Sequence, residues 1–77
     1  MIYIVHWADI NADNELSIDC QVFSEIEDAD KKVSELVYEW MQSNSCDCSM
    51  QRVGNFTGVQ STDDNRELQI HIHEHDA

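Results

Sequence analysis

Apolar positions recur with period two at both ends of this chain and with a helical period in the middle. Residues 1–8 are rich in the β-branched and aromatic side chains that fill strands. On such a strand Ile2, Ile4 and His6 point one way, and Tyr3, Val5 and Trp7 the other. Both faces are largely apolar, as in a central strand. Asn11-Ala12-Asp13-Asn14 is a turn. Residues 16–23 alternate most cleanly, with Leu16, Ile18, Cys20 and Val22 on one face and Ser17, Asp19 and Gln21 on the other. That pattern predicts a half-buried strand, antiparallel to the first, with its apolar set turned to the core.

The period changes at Ser24. Ser24-Glu25-Ile26-Glu27 fits a capping box, in which the Ser24 hydroxyl accepts from the Glu27 amide and the Glu27 carboxylate reaches back. Ile26, Ala29, Val33, Leu36, Val37, Trp40 and Met41 follow at helical spacing, a stripe that ends at Ser43-Asn44-Ser45. Asp28 with Lys32 and Glu27 with Lys31 are supportive pairs four residues apart. Residues 50–57 form a weaker third strand, and Asp63-Asp64-Asn65 a turn. Residues 67–75 form a fourth strand, with Leu68, Ile70 and Ile72 inward and Gln69, His71, His73 and His75 outward. The expected fold is α+β: a ββαββ two-layer sandwich with one helix on a four-stranded antiparallel sheet, spanning 1–77 as a single domain.

Composition sharpens this picture. Sixteen acidic residues stand against four basic ones, for a net charge of -12, yet 42% of the chain is hydrophobic, so it is not an acidic disordered tail. Eleven of the acids and both lysines precede Met50, which puts the negative field on the first hairpin and the helix. Such a field repels nucleic acid and anionic lipid and attracts basic grooves. No apolar run approaches the length of a membrane span, and the start lacks the basic region of a secretory signal. Three cysteines, Cys20, Cys46 and Cys48, are an odd set, which favours a reducing, cytoplasmic setting.

Four features carry candidate chemistry. Glu25, Asp28, Glu35 and Glu39 lie at helical spacing on the solvent side, with Asp13, Glu15, Asp19 and Asp47 extending the field. The array either imitates phosphates in a basic groove or simply keeps the protein soluble. His71, His73 and His75 share a strand face. Two of them, His71 and His73, can hold one Zn²⁺, with His6, Cys46 or Cys48 available to complete four ligands; the other reading is a polar edge strand and no metal. All three on one strand span about 13 Å, too far for a single ion. Cysteine beside histidine can be drawn as nucleophile and base, but no glycine-rich turn or oxyanion loop accompanies them, and the chain reads as a non-enzyme without a cofactor. Trp40 falls on the core stripe, whereas Tyr3 and Trp7 either pack under the helix or look outward as an interface anchor, for a partner or for a homodimer.

The acidic, prolineless chain with two strand pairs around one helix resembles virus- and plasmid-encoded inhibitors, the anti-CRISPR and DNA-mimic anti-restriction proteins. Residues 19–29, Asp-Cys-Gln-Val-Phe-Ser-Glu-Ile-Glu-Asp-Ala, also look like the corresponding part of a phage inhibitor of bacterial RNA polymerase. The resemblance implies a stoichiometric inhibitor from a phage or mobile element, acting in the host cytosol as monomer or homodimer. It would bind a basic nucleic-acid-handling protein or ribonucleoprotein, a CRISPR effector first among them, and would bind no nucleic acid or membrane itself. The alternatives are a metal-binding protein using the histidine strand and a homodimeric interaction module.

Overall fold

A computed structural model describes residues 1–11, 13–44, 47–63 and 65–76. The elements in chain order are β1 (Ile2–Ile10), β2 (Leu16–Phe23), α1 (Ile26–Asn44), β3 (Cys48–Val53), β4 (Phe56–Ser61) and β5 (Glu67–His75). The α+β class and the single helix on an antiparallel sheet are as expected, but the sheet has five strands rather than four, in the order β2-β1-β5-β4-β3. The extra strand comes from 48–61, which folds into its own hairpin. Val53 pairs with Phe56 across Gly54-Asn55, and Gly54 has φ 58. Glycine in the first loop position, at positive φ, is what a tight two-residue hairpin selects.

The first hairpin turns as its Asn-rich loop demands. The Asn11 side-chain oxygen accepts from the amides of Asp13 and Glu15, at 2.9 and 3.0 Å. Asn14 takes the left-handed conformation, φ 64, which Asn tolerates. The Asn65 side-chain amide donates to the Asn14 oxygen at 2.6 Å, tying the β4–β5 loop to this turn. The helix starts one residue later than expected: the Ala29 amide donates to the Glu25 carbonyl, which makes Glu25 the N-cap in place of Ser24.

One side of the sheet is covered by α1. Val5, Val59, Leu68, Ile70 and Ile72 from the strands meet Ala29, Val33 and Trp40 from the helix in one buried cluster. Tyr3, Trp7 and Phe23 pack against it. The inward set of β5 is therefore as expected, and the open choice for β1 resolves with Tyr3, Val5 and Trp7 under the helix. The outward aromatic anchor at Tyr3 and Trp7 is thereby corrected.

A second correction concerns β2. Leu16, Ile18 and Val22 were expected in the core; they are 58, 68 and 56% exposed. Register explains the reversal. Val5 pairs with Ile72 and Trp7 with Ile70, so β1 must turn its odd-numbered side chains to the helix. Trp7 also pairs with Asp19, and Ile4 with Val22. Residues opposite each other share a face, so Asp19 and Gln21 go to the helix side, and Leu16, Ile18, Cys20 and Val22 to the open side.

Candidate functional site

The open face of the sheet collects the histidines. His6 is the cross-strand partner of His71, and Ile4 that of His73, so His6 and His73 are diagonal neighbours. The rings of His6 and His73 stack at 4.6 Å, and those of His6 and His71 at 5.1 Å. Their Nε2 atoms make the link between His6 and His73, 2.6 Å apart, with one ring nitrogen donating and the other accepting. Phe56 on β4 tilts against His71 from the other side, 4.8 Å between centroids. One ligating nitrogen from each of His6, His71 and His73 lies within 4.8 Å of the others. The pKa of His6 is lowered, first by burial and then by the repulsion of His73 and His71. Burial and the two neighbouring rings thus favour the neutral form of His6.

The histidines sit in an apolar frame. Ile2, Ile4, Ala8 and Ile10 flank them on β1, and Leu16, Ile18, Cys20 and Val22 line the neighbouring edge strand. Among the open-face strand positions the one carboxylate is Glu67, and there is no Lys or Arg.

The candidate metal ligands separate. His71 and His73 come together, and His6 completes the group from β1. His75 pairs with Ile2 at the far end of the strand, outside the cluster. Cys48 pairs with Ser61, a buried residue of the covered side, and packs against the core, so it cannot join. Cys46 lies outside the described residues.

Asp19, Asp28, Glu35 and Glu39 lie on the helix side of the sheet, away from the histidines. Glu25, Asp28, Glu35 and Glu39 are all exposed, and Asp13, Glu15 and Asp19 are exposed on the first hairpin. Asp28 and Glu35 flank α1 beside Gln21 and Phe23 of β2, and Glu39 lies beside Trp7 and Asp9 of β1, while Glu25 is the N-cap just before the helix. The stripe is not unbroken, because Lys31 and Lys32 line the same shallow depression as Gln21, Phe23, Asp28 and Glu35. Lys32 lies over the Trp7 ring, 5.2 Å from its centroid, instead of closing the expected pair with Asp28. Arg52 on β3 pairs with Asp30 at 3.0 Å, on the opposite flank of the helix.

One acidic residue was missed. Asp9 lines a depression of about 240 Å³ with Trp7, Leu36, Glu39, Trp40, Ser43 and Leu68, which adds a carboxylate beside Glu39. The signal was the continuation of β1 alternation through Asp9 and Ile10. A more apolar groove on the other flank, lined by Val33, Val37, Tyr38, Met41, Met50 and Thr57, separates α1 from β3 and β4. Among the described residues no helix is long and apolar enough to cross a membrane. Comparison of the chain with protein-family models, with curated proteins and with solved structures finds no match.

Proposed function

We propose that this protein is a non-enzymatic, stoichiometric inhibitor of phage or mobile-element origin. It binds a basic surface of a host nucleic-acid-handling defence complex, a CRISPR effector first among them, and blocks nucleic acid entry or a required movement. The observation that carries the reading is the segregation of charge. Asp9, Asp19, Asp28, Glu35 and Glu39 belong to one side of the molecule, on rigid strand and helix positions, while the open sheet face is almost free of charge. From Asp28 to Glu39 the helix advances about 16 Å, a length suited to lying along a basic groove. Carboxylates held on regular elements meet such a groove without first being ordered, so less entropy is lost on docking.

Affinity capture from a bacterial lysate carrying a CRISPR system, with and without nuclease, tests this. The expected result is a nucleic-acid-binding complex that stays bound after nuclease treatment and elutes in moderate salt, because exposed charge pairs are screened. Capture that disappears with nuclease would contradict it.

A second reading, self-association, is favoured by a specific observation. Leu16, Ile18 and Val22 lie exposed in one row on an edge strand, on the face with the least like charge. Two copies meeting there keep their acidic sides apart and cover apolar surface together. This moves the dimer surface from Tyr3 and Trp7 to the opposite face. Light scattering over a concentration series should show a dimer that Ile18→Lys dissociates. A monomer at every concentration removes the reading.

A further inference from the structure

We infer that His6, His71 and His73 form a binding site for one divalent transition-metal ion of the zinc class, held by three imidazoles on the open face of the sheet. The site is independent of the acidic side of the molecule and of the partner proposed for it.

A strand with histidine at every second position spreads its rings along about 13 Å, and no single ion reaches all of them. The fold solves this by bringing a residue 67 positions away, His6, onto the neighbouring strand. His6 lies opposite His71 and diagonal to His73, so three ring nitrogens converge from two hydrogen-bonded strands. Strand backbone locked into a central ladder is a rigid platform for ligands, since β1 pairs on both sides with β2 and β5.

Distances permit coordination with side-chain motion alone. Zinc–nitrogen bonds of about 2.0–2.1 Å in a tetrahedron place ligand atoms roughly 3.3 Å apart. The three nitrogens now lie within 4.8 Å of one another, and the closest pair at 2.6 Å. One pair must open by less than 1 Å and the rest must close by at most about 1.5 Å, within reach of rotation about the soft ring torsion. The stacked rings are nearly parallel, so the same rotation must also turn their lone pairs toward a common point.

Ligand chemistry selects the ion. Three nitrogens and no carboxylate in the cluster suit Zn²⁺, Co²⁺, Ni²⁺ or Cu²⁺ and exclude Mg²⁺ and Ca²⁺, which require oxygen donors. All three ligands rise from one face, so the remaining coordination position points away from the sheet. It is available to water or to a donor from a docked molecule. Phe56 packs against His71, and the aliphatic side chains of β1 flank the rings and lower the local dielectric, as the surroundings of metal sites do.

Titration of the chelator-treated full chain with ZnCl₂ by calorimetry, and with CoCl₂ by visible absorption, tests the site. The expected result is one ion per chain, a cobalt spectrum of the intense tetrahedral type, and a higher melting temperature with metal, since the ion binds only the folded state. His73→Ala and His6→Gln should each weaken binding by more than about 100-fold. His75→Ala, and the Cys20→Ser, Cys46→Ser, Cys48→Ser triple variant, should leave the affinity unchanged. Circular dichroism of each variant separates lost ligands from lost fold. Because His73 is exposed, its variant decides the matter even where His6→Gln misfolds. Loss of affinity in His75→Ala equal to that in His73→Ala would mean adventitious binding by a histidine-rich strand and would overturn the proposal. So would binding that follows the cysteines, or none below millimolar metal.

Discussion

The two faces of the sheet differ in almost every physical respect. The covered face carries Val5, Val59, Leu68, Ile70 and Ile72 under a helix whose outer surface is studded with carboxylates. The open face carries more aliphatic side chains but is not covered by the helix, and it holds one carboxylate and a cluster of three histidines. Burial alone therefore separates residues of the same type into those that hold the fold and those available for contact. Ile70 and Ile18 are chemically the same side chain; one is fully buried and the other is 68% exposed. Charge divides in the same way, since a strongly negative chain has kept one face nearly clear of it.

The largest effect should come from that isoleucine pair. Ile70→Ala should lose about 2–5 kcal/mol of stability, because the side chain leaves both transfer energy and a cavity behind. Ile18→Thr should stay within about 0.5 kcal/mol of the parent, as surface changes do. Urea denaturation of the two variants checks both, and equal losses would mean that the open face is covered in solution.

Charge reversal probes the other half of the comparison. Glu35→Lys with Glu39→Lys should weaken partner binding by at least about tenfold, since like charges brought together oppose docking. The fold should remain intact, because both side chains are exposed. Unchanged affinity in a titration with the captured partner would show that this flank is not the contact.

Two smaller effects test the scaffold that keeps the faces apart. Gly54→Ala should cost about 1 kcal/mol through backbone strain alone, because positive φ disfavours a side chain while no atom lies within 4 Å of the added carbon. Arg52→Ala should cost between about 0 and 1 kcal/mol, since its pair with Asp30 is half exposed on both sides. Thermal melts resolve the first. A loss well above 1 kcal/mol in the second would mean that the pair clamps β3 to the helix.

Much of this architecture was legible in the pattern of residues, and two of the three exceptions share a cause. β2 and β5 fall where alternation places them, and the helical stripe from Ile26 to Met41 packs as its spacing implies. What local pattern cannot contain is which neighbour a strand pairs with. Leu16, Ile18 and Val22 looked like core because alternation marks an apolar face without saying which side the helix takes. That side was decided by Val5 and Trp7 pairing with β5, which lies more than sixty residues away. The histidine cluster was half legible for the same reason: His71 and His73 announce themselves, but the choice of His6 over Cys48 as their companion depends on strand order. The β3–β4 hairpin was missed although its Gly54-Asn55 turn signal is present, because Val53 and Phe56 on either side read as one continuous strand.

The most direct test of the two-faced account is a parallel capture experiment with three baits: the parent protein, the Glu35→Lys/Glu39→Lys variant, and an Ile18→Thr/Val22→Thr variant. Each is incubated with nuclease-treated lysate carrying a CRISPR system and read by quantitative mass spectrometry. The account predicts one nucleic-acid-handling complex on the parent and on the threonine bait, and its loss from the lysine bait. Retention on the lysine bait with loss from the threonine bait would place the contact on the open face and contradict the assignment of the acidic side as the binding surface.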